Sequence, residues 1–130
     1  MKPERILGLG MDLVEIDRIE DSLQRFGDRF LERIFLPNEI AYAQTQARPA
    51  TNLAARFAAK EATSKAFGTG IGQSLPWLGL EIGRHSTGEP FLRFHQAGAT
   101  LAQTRGITRS LVTLTHTQTH SAATVILLGP

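Results

Sequence analysis

A chain of 130 residues, 42% hydrophobic and 20% charged, has the size and composition of one soluble domain spanning residues 1–130. It has no cysteine, which excludes a disulfide framework, a thiolate metal site and a thiol nucleophile, and its apolar runs are too short for a membrane span. The net charge is only +2, and eleven of the fourteen basic residues are arginines, a balance that suits phosphates or an acidic partner better than bulk nucleic acid.

The N-terminal residues lead into a strand rather than a signal-peptide core, so a cytoplasmic location is the default expectation. Arg5 to Met11 is a short apolar run containing two glycines, which predicts a buried strand that something approaches closely. Asp12 is expected to end that strand, either capping the next helix or serving as a metal ligand held at a strand end. Ile16, Ile19, Leu23 and Phe26 then recur at helical spacing. The polar face of this segment carries Arg18 and Arg25, with Arg29 and Arg33 beyond Gly27, interleaved with Asp17, Asp21 and Asp28. Mixed charge of this kind is usually a solvated face, but Arg18, Arg25 and Arg29 share one side and could present guanidinium groups to an acidic helix.

Phe35-Leu36-Pro37-Asn38-Glu39 predicts the start of a further short helix through about Gln46, with Pro37 near its first turn. The alanine-rich run Asn52 to Phe67 reads as the long central helix, with Thr51 or Asn52 positioned to cap its start and Gly68 suited to the left-handed residue past its end. Leu53, Phe57, Glu61 and Lys65 follow at four-residue steps, so Glu61 extends an apolar stripe and would be half buried, paired in the simplest case with Lys65. The Gly68-Thr69-Gly70-Ile71-Gly72 segment that follows can bring backbone close to a phosphate.

Downstream, Trp77 to Ile82 and Phe91 to Phe94 flank a glycine-containing turn and predict a hairpin; Gln96 to Arg105 predicts a short helix closed by Gly106. Arg109 to His116 alternates as a half-exposed strand and pairs with an apolar strand, Ser121 to Leu128. With no regular βαβ alternation and no internal repeat, the order predicts an α+β fold with a mostly antiparallel sheet, one long central helix and shorter helices.

Three segments taken together are more specific than any one of them. Gly8-Leu9-Gly10-Met11-Asp12-Leu13-Val14-Glu15-Ile16-Asp17-Arg18-Ile19, then Ala55-Arg56-Phe57-Ala58-Ala59-Lys60-Glu61-Ala62 through Lys65-Ala66-Phe67-Gly68-Thr69-Gly70-Ile71, then Leu114-Thr115-His116, occur in the order found in the holo-[acyl carrier protein] synthases, small bacterial 4'-phosphopantetheinyl transferases that the chain resembles over nearly its whole length. The resemblance implies the fold of that family, and transfer of 4'-phosphopantetheine from coenzyme A to a serine of apo acyl carrier protein. It also implies a homotrimer with active sites between subunits, and a magnesium ion held by Asp12 and Glu61. It places Arg56, Lys65, Gly68, Thr69, Gly70 and His116 against coenzyme A, and Arg18, with Arg25 and Arg29, against the acidic carrier. One departure stands out: Thr115-His116-Thr117 occupies the place of the family's usual Ser-His-Glu.

The residue types suit that chemistry. Displacement at a diphosphate calls for charge neutralisation and in-line positioning rather than a covalent protein intermediate. Magnesium favours one or two protein carboxylates and completes its shell with water and phosphate oxygens. Glu61 is the candidate acceptor of the serine proton, with a water-mediated route favoured because a nearby cation holds the carboxylate ionised. Lys65, one turn on, could place an ammonium on the leaving oxygen. His116 could donate to a phosphate or be merely structural, and His85, His95 and His120 carry no supporting context. A non-catalytic binding module is the rival reading, and it would not need Asp12, Glu61 and Lys65 together.

Overall fold

The structure, a computed structural model, describes residues 3–130. β1 (Arg5–Glu15) leads into α1 (Ile16–Phe26), α2 (Asp28–Ile34), α3 (Pro37–Gln44) and α4 (Pro49–Phe67). A single 3-10 turn (Trp77–Gly79) precedes β2 (Leu80–Arg84) and β3 (Pro90–Phe94), followed by α5 (Gln96–Thr104), β4 (Arg109–His116) and β5 (His120–Gly129). The strands form two antiparallel sheets, one ordered β1-β5-β4 and one a β2-β3 hairpin. The α+β expectation holds.

α4 lies across one face of the three-stranded sheet, and its small side chains are what let it come so close. Ala54, Ala58, Ala59 and Ala62 are buried beneath the sheet with Val125 and Leu127 of β5. Gly8 and Gly10 of β1 face the helix, where a Cβ on either would run into the carbonyl oxygens of Ala66 and Ala62. The close approach expected at the strand glycines is therefore made by α4 itself. Gly10→Ala should overpack this contact and lower the unfolding free energy by about 3 kcal/mol or more, read from the urea midpoint at unchanged m-value.

Three expectations are corrected. β1 is not buried on both faces: Gly10 and Val14 point inward, while Leu9, Met11 and Leu13 point outward and are 64%, 61% and 62% exposed. Asp12 neither ends β1 nor caps α1, because pairing with β5 continues from Asp12↔Ala123 to Glu15↔His120 and α1 begins only at Ile16, without a side-chain cap. α4 starts at Pro49 rather than at a Thr51 or Asn52 cap, since proline in the first turn needs no amide partner there; Asn52 Oδ1 instead accepts from Arg56. The predicted stop does form, with Gly68 at φ 78°. Gly27 also breaks the arginine-bearing segment into two helices, so Arg18 and Arg25 sit on α1 and Arg29 on α2.

Candidate functional site

The alternation of β1 decides where its acid points. Asp12 shares the inward parity of Gly10 and Val14, so it faces α4, on which Glu61 stands at the helix edge left half-open by the sheet. Both carboxylates line one cleft of about 440 Å³, together with Arg18 of α1, Phe30 of α2 and Phe57 of α4. Lys65 does not pair with Glu61 as its helical spacing suggests. Its Nζ donates to Asp12 Oδ1 at 2.9 Å and to the Met11 carbonyl at 3.1 Å, tying α4 to β1.

The electrostatics follow from this crowding. Partial burial pushes the Glu61 carboxyl above its usual range, the negative charge of Asp12 pushes the same way, and Lys65 opposes both. The Lys65 ammonium is held above its ordinary value chiefly by its hydrogen bond to Asp12. Two carboxylates that repel one another across an open cleft, with an exposed ammonium beside them, make a site in which a hard cation would relieve the repulsion. Among the described residues no cluster of three or more His, Cys, Asp or Glu is present, so the protein share of such a site would be these two oxygen donors. That number suits magnesium, which retains water and phosphate ligands.

The glycine segment closes the central helix. The amide of Gly68 donates to the Lys65 carbonyl, and those of Thr69 and Gly70 donate to the Ser64 carbonyl. Side-chain space at Gly68 and Gly70 is open, and the Thr69 hydroxyl donates to the Gly70 carbonyl.

Arg56 and His116 lie elsewhere. Arg56 is five residues before Glu61, about 140° around the helix axis. It is 2% exposed, donates to Asn52 Oδ1 at 2.6 Å, stacks 4.8 Å from the Tyr42 ring centre, and its Nε has no partner among the described residues. Burial lowers its pKa, with Glu39 partly offsetting the effect. It lines a cleft of about 440 Å³ with Tyr42, Arg84 and His85. His116 lines an adjoining hollow of about 510 Å³ that again includes Tyr42 and Arg84, along with Arg48. Arg84 stacks over Tyr42 at 5.6 Å. Neither of these hollows shares a lining residue with the Asp12/Glu61 cleft. One chain therefore carries two separate groups of charged residues.

Arg84, Arg48 and Tyr42 went unnoticed in the sequence, where the only available signal was an arginine next to a predicted turn. Thr117, which replaces the family's usual acid, accepts through Oγ1 from the amides of Thr119 and His120 and so caps the β4–β5 turn. Of the other histidines, His95 meets Glu81 at 2.7 Å, His85 packs on Phe91, and His120 meets Thr119. Of the arginine row, Arg18 borders the acidic cleft and Arg29 an adjoining apolar groove with Phe26, Phe30 and Trp77, whereas Arg25 pairs with Asp21 at 3.6 Å on an exposed surface.

The sequence model described as "4'-phosphopantetheinyl transferase superfamily" matches residues 8–125, which includes both carboxylates, both lysines of α4 and His116. The chain belongs to that superfamily. A holo-[acyl-carrier-protein] synthase of Koribacter versatilis is 48% identical to it over 122 residues, covering 94% of this chain and 98% of the relative. The crystal structure of holo-[acyl-carrier-protein] synthase from Neisseria meningitidis superimposes with a TM-score of 0.88 at 32% identity, covering 95% and 98% of the two chains. That of the Helicobacter pylori synthase in complex with coenzyme A gives 0.83 at 30% identity, covering 92% and 98%. Among phosphopantetheinyl transferases, then, this chain aligns nearly end to end with these holo-[acyl-carrier-protein] synthases. Among its described residues no helix is long and apolar enough to cross a membrane.

Proposed function

We propose that the protein transfers the 4'-phosphopantetheine group of coenzyme A to a serine hydroxyl of apo acyl carrier protein, releasing adenosine 3',5'-bisphosphate. The observation that carries this reading is the meeting of Asp12 and Glu61, from β1 and α4, at one open cleft, with Lys65 bonded to Asp12 beside it. The serine oxygen forms a bond to the phosphorus that carries pantetheine, the bridging P–O bond breaks, and the electron pair leaves with the nucleotide phosphate. Glu61 takes the serine proton, directly or through water. Lys65, exposed and held only by Asp12 and one carbonyl, is free to neutralise the departing phosphate oxygen. Asp12 and Glu61 would hold magnesium, which when bound supplies charge neutralisation at the diphosphate.

The basic pocket of Arg56, Arg84 and His116 fits the nucleotide 3'-phosphate, which lies away from the reacting bond, Arg56 contributing a buried Nε donor that has no partner among the described residues. Because that pocket and the acidic cleft are apart within one chain, a complete site takes the cleft of one subunit and the pocket of another. A homotrimer supplies this arrangement, and the outward apolar side chains of β1 supply a surface for it.

The deciding experiment incubates the protein with coenzyme A, Mg²⁺ and apo carrier and weighs the carrier. A mass gain equal to one phosphopantetheine supports the reading; an unchanged mass with a folded carrier and a folded enzyme rejects it. Apo carriers from fatty-acid, polyketide and peptide synthases, compared side by side, report the preferred partner. Arg18→Ala should raise the apparent carrier KM several-fold, roughly 3- to 10-fold, with kcat at saturating coenzyme A little changed, and wild-type association should slow as salt rises. A fall confined to kcat would count against docking by Arg18.

A further inference from the structure

Lys60 and Glu39 are both charged and both wholly buried, at 0% and 1% exposure, and the transfer chemistry uses neither. They are 21 residues apart and meet at 2.8 Å. All three N–H bonds of the ammonium are satisfied: one by Glu39 Oε1, one by the Ile34 carbonyl at 2.7 Å where α2 ends, one by the Trp77 carbonyl at 3.1 Å in the 3-10 turn. Glu39 extends the junction by accepting from the Leu36 amide at 2.8 Å ahead of α3 and from the Ile82 amide at 3.0 Å in β2. A single ion pair thus joins α2, α3, α4, the 3-10 turn and β2. A buried pair of this kind is weak grounds for stability, since apolar residues of similar size often serve as well.

The joined elements share a second property: they supply the aromatic side of the reaction cleft. Phe57, one turn before Lys60, stacks on Trp77 with ring centres 4.9 Å apart and stands beside Glu61 in the cleft wall. Phe30, on the α2 helix that Lys60 holds at Ile34, lines both the acidic cleft and the adjoining groove, where it meets Trp77, Phe26 and Arg29. Ser22 and Phe30 belong to both hollows, so the two form one continuous groove leading away from Glu61. Its far wall stands or shifts with the carbonyls of Ile34 and Trp77.

We infer that the Lys60–Glu39 pair is a positioning device for the transfer reaction, fixing the Phe30/Phe57/Trp77 wall so that the carrier serine and the pantetheine arm reach Glu61 in line. This rests on the transferase reading above. The pair touches no reacting atom. It acts by holding two backbone carbonyls whose side chains and helix form the groove, and a wall displaced by an ångström misaligns a phosphoryl acceptor. Glu39 also borders the basic pocket beside Arg56, so the wall's own contribution is read from Trp77, which lines no part of that pocket.

Trp77 is the chain's one tryptophan, so its fluorescence reports the wall directly. The test compares wild type, the charge-free pair Glu39→Gln/Lys60→Met, Trp77→Leu, which keeps the backbone acceptor for Lys60 but removes the wall, and Leu101→Ala in α5 as a stability control. Wild-type transfer is measured first; its absence rejects the transferase reading itself, whatever the variants do. With wild type active, the double variant is expected to retain its far-UV CD, to show a red-shifted, more quencher-accessible Trp77, and to raise carrier KM/kcat about tenfold; Trp77→Leu, which leaves the lining of the basic pocket unchanged, is expected to reproduce that loss with coenzyme A KM within about twofold, and Leu101→Ala to show neither. The inference is overturned if Trp77 loosens while carrier kinetics stay at wild type, or if Leu101→Ala shows the same kinetic change at equal loss of Tm. Should the double variant fail to fold, normal carrier kinetics in Trp77→Leu overturn it alone.

Discussion

Glu61→Gln should reduce transfer of phosphopantetheine by on the order of a hundredfold or more, and Asp12→Asn should do the same, with both proteins folded. The expected loss is large because each substitution removes half of the carboxylate pair that the structure brings to one cleft, and the Glu61 change removes the proposed proton acceptor as well. The two variants separate in stability. Glu61 is a carboxyl whose folded pKa lies above its unfolded value, mainly through burial and secondarily through the charge of Asp12. Folding therefore favours its protonated form, stability declines as pH rises through the window between the two values, and the full penalty is present above it. Glu61→Gln removes that penalty, so its Tm should equal wild type at acid pH and exceed it at neutral pH. Asp12→Asn instead loses the charged partner of Lys65 and should gain less. Mg²⁺ should raise the Tm of wild type and leave both variants nearly unmoved, since ligand that binds only the folded state stabilises it in proportion to its occupancy. Wild-type turnover by Glu61→Gln would remove it from the mechanism, and an equal Mg²⁺ response in all three proteins would remove the pair as cation ligands.

The same region shows what a sequence can and cannot reveal. The central helix was legible because an alanine run ending at Gly68 has one good solution, and both hairpins were legible because alternation and turn glycines agree. The family pattern singled out Asp12 and Glu61, and the inward parity of β1 explains why a strand residue reaches a helix residue 49 positions away. Local reasoning failed where a distant element competed. Lys65 had a helical neighbour in Glu61, yet β1 offers a carboxylate and a carbonyl together, and those win. The amides after Gly68 looked free for phosphate, yet the helix end uses them. Lys60 and Glu39 read as surface charges in any composition-based view; only tertiary packing shows them buried against each other. α4 starts at Pro49 rather than at the polar cap candidates Thr51 and Asn52 because a proline satisfies the first turn by lacking a donor.

The apolar character of β1 leads to the other large effect. A strand that is hydrophobic on both faces is ordinarily covered on both, and here α4 covers one while Leu9, Met11 and Leu13, with Ile6 at 66% and Leu111 of β4 at 45% exposure, remain open. In the proposed homotrimer a second copy of this chain is the occupant, and it would also complete the chemistry, because the acidic cleft and the basic pocket share no lining residue within one chain. Leu9→Glu places a charge on that face without touching the cleft, and it should convert the assembly to monomer in sedimentation equilibrium while reducing transfer by about tenfold or more. Mixing provides the sharper result. Glu61→Gln is disabled in the cleft, and Arg84→Ala/His116→Ala is disabled in the basic pocket; each alone should be severely impaired. Co-expressed, they should recover activity, because random assembly pairs an intact cleft with an intact pocket at about one quarter of the sites. A site built within one chain gives no such recovery, since every chain in the mixture then carries one defect in its own site, and mixing returns only the sum of two impaired enzymes.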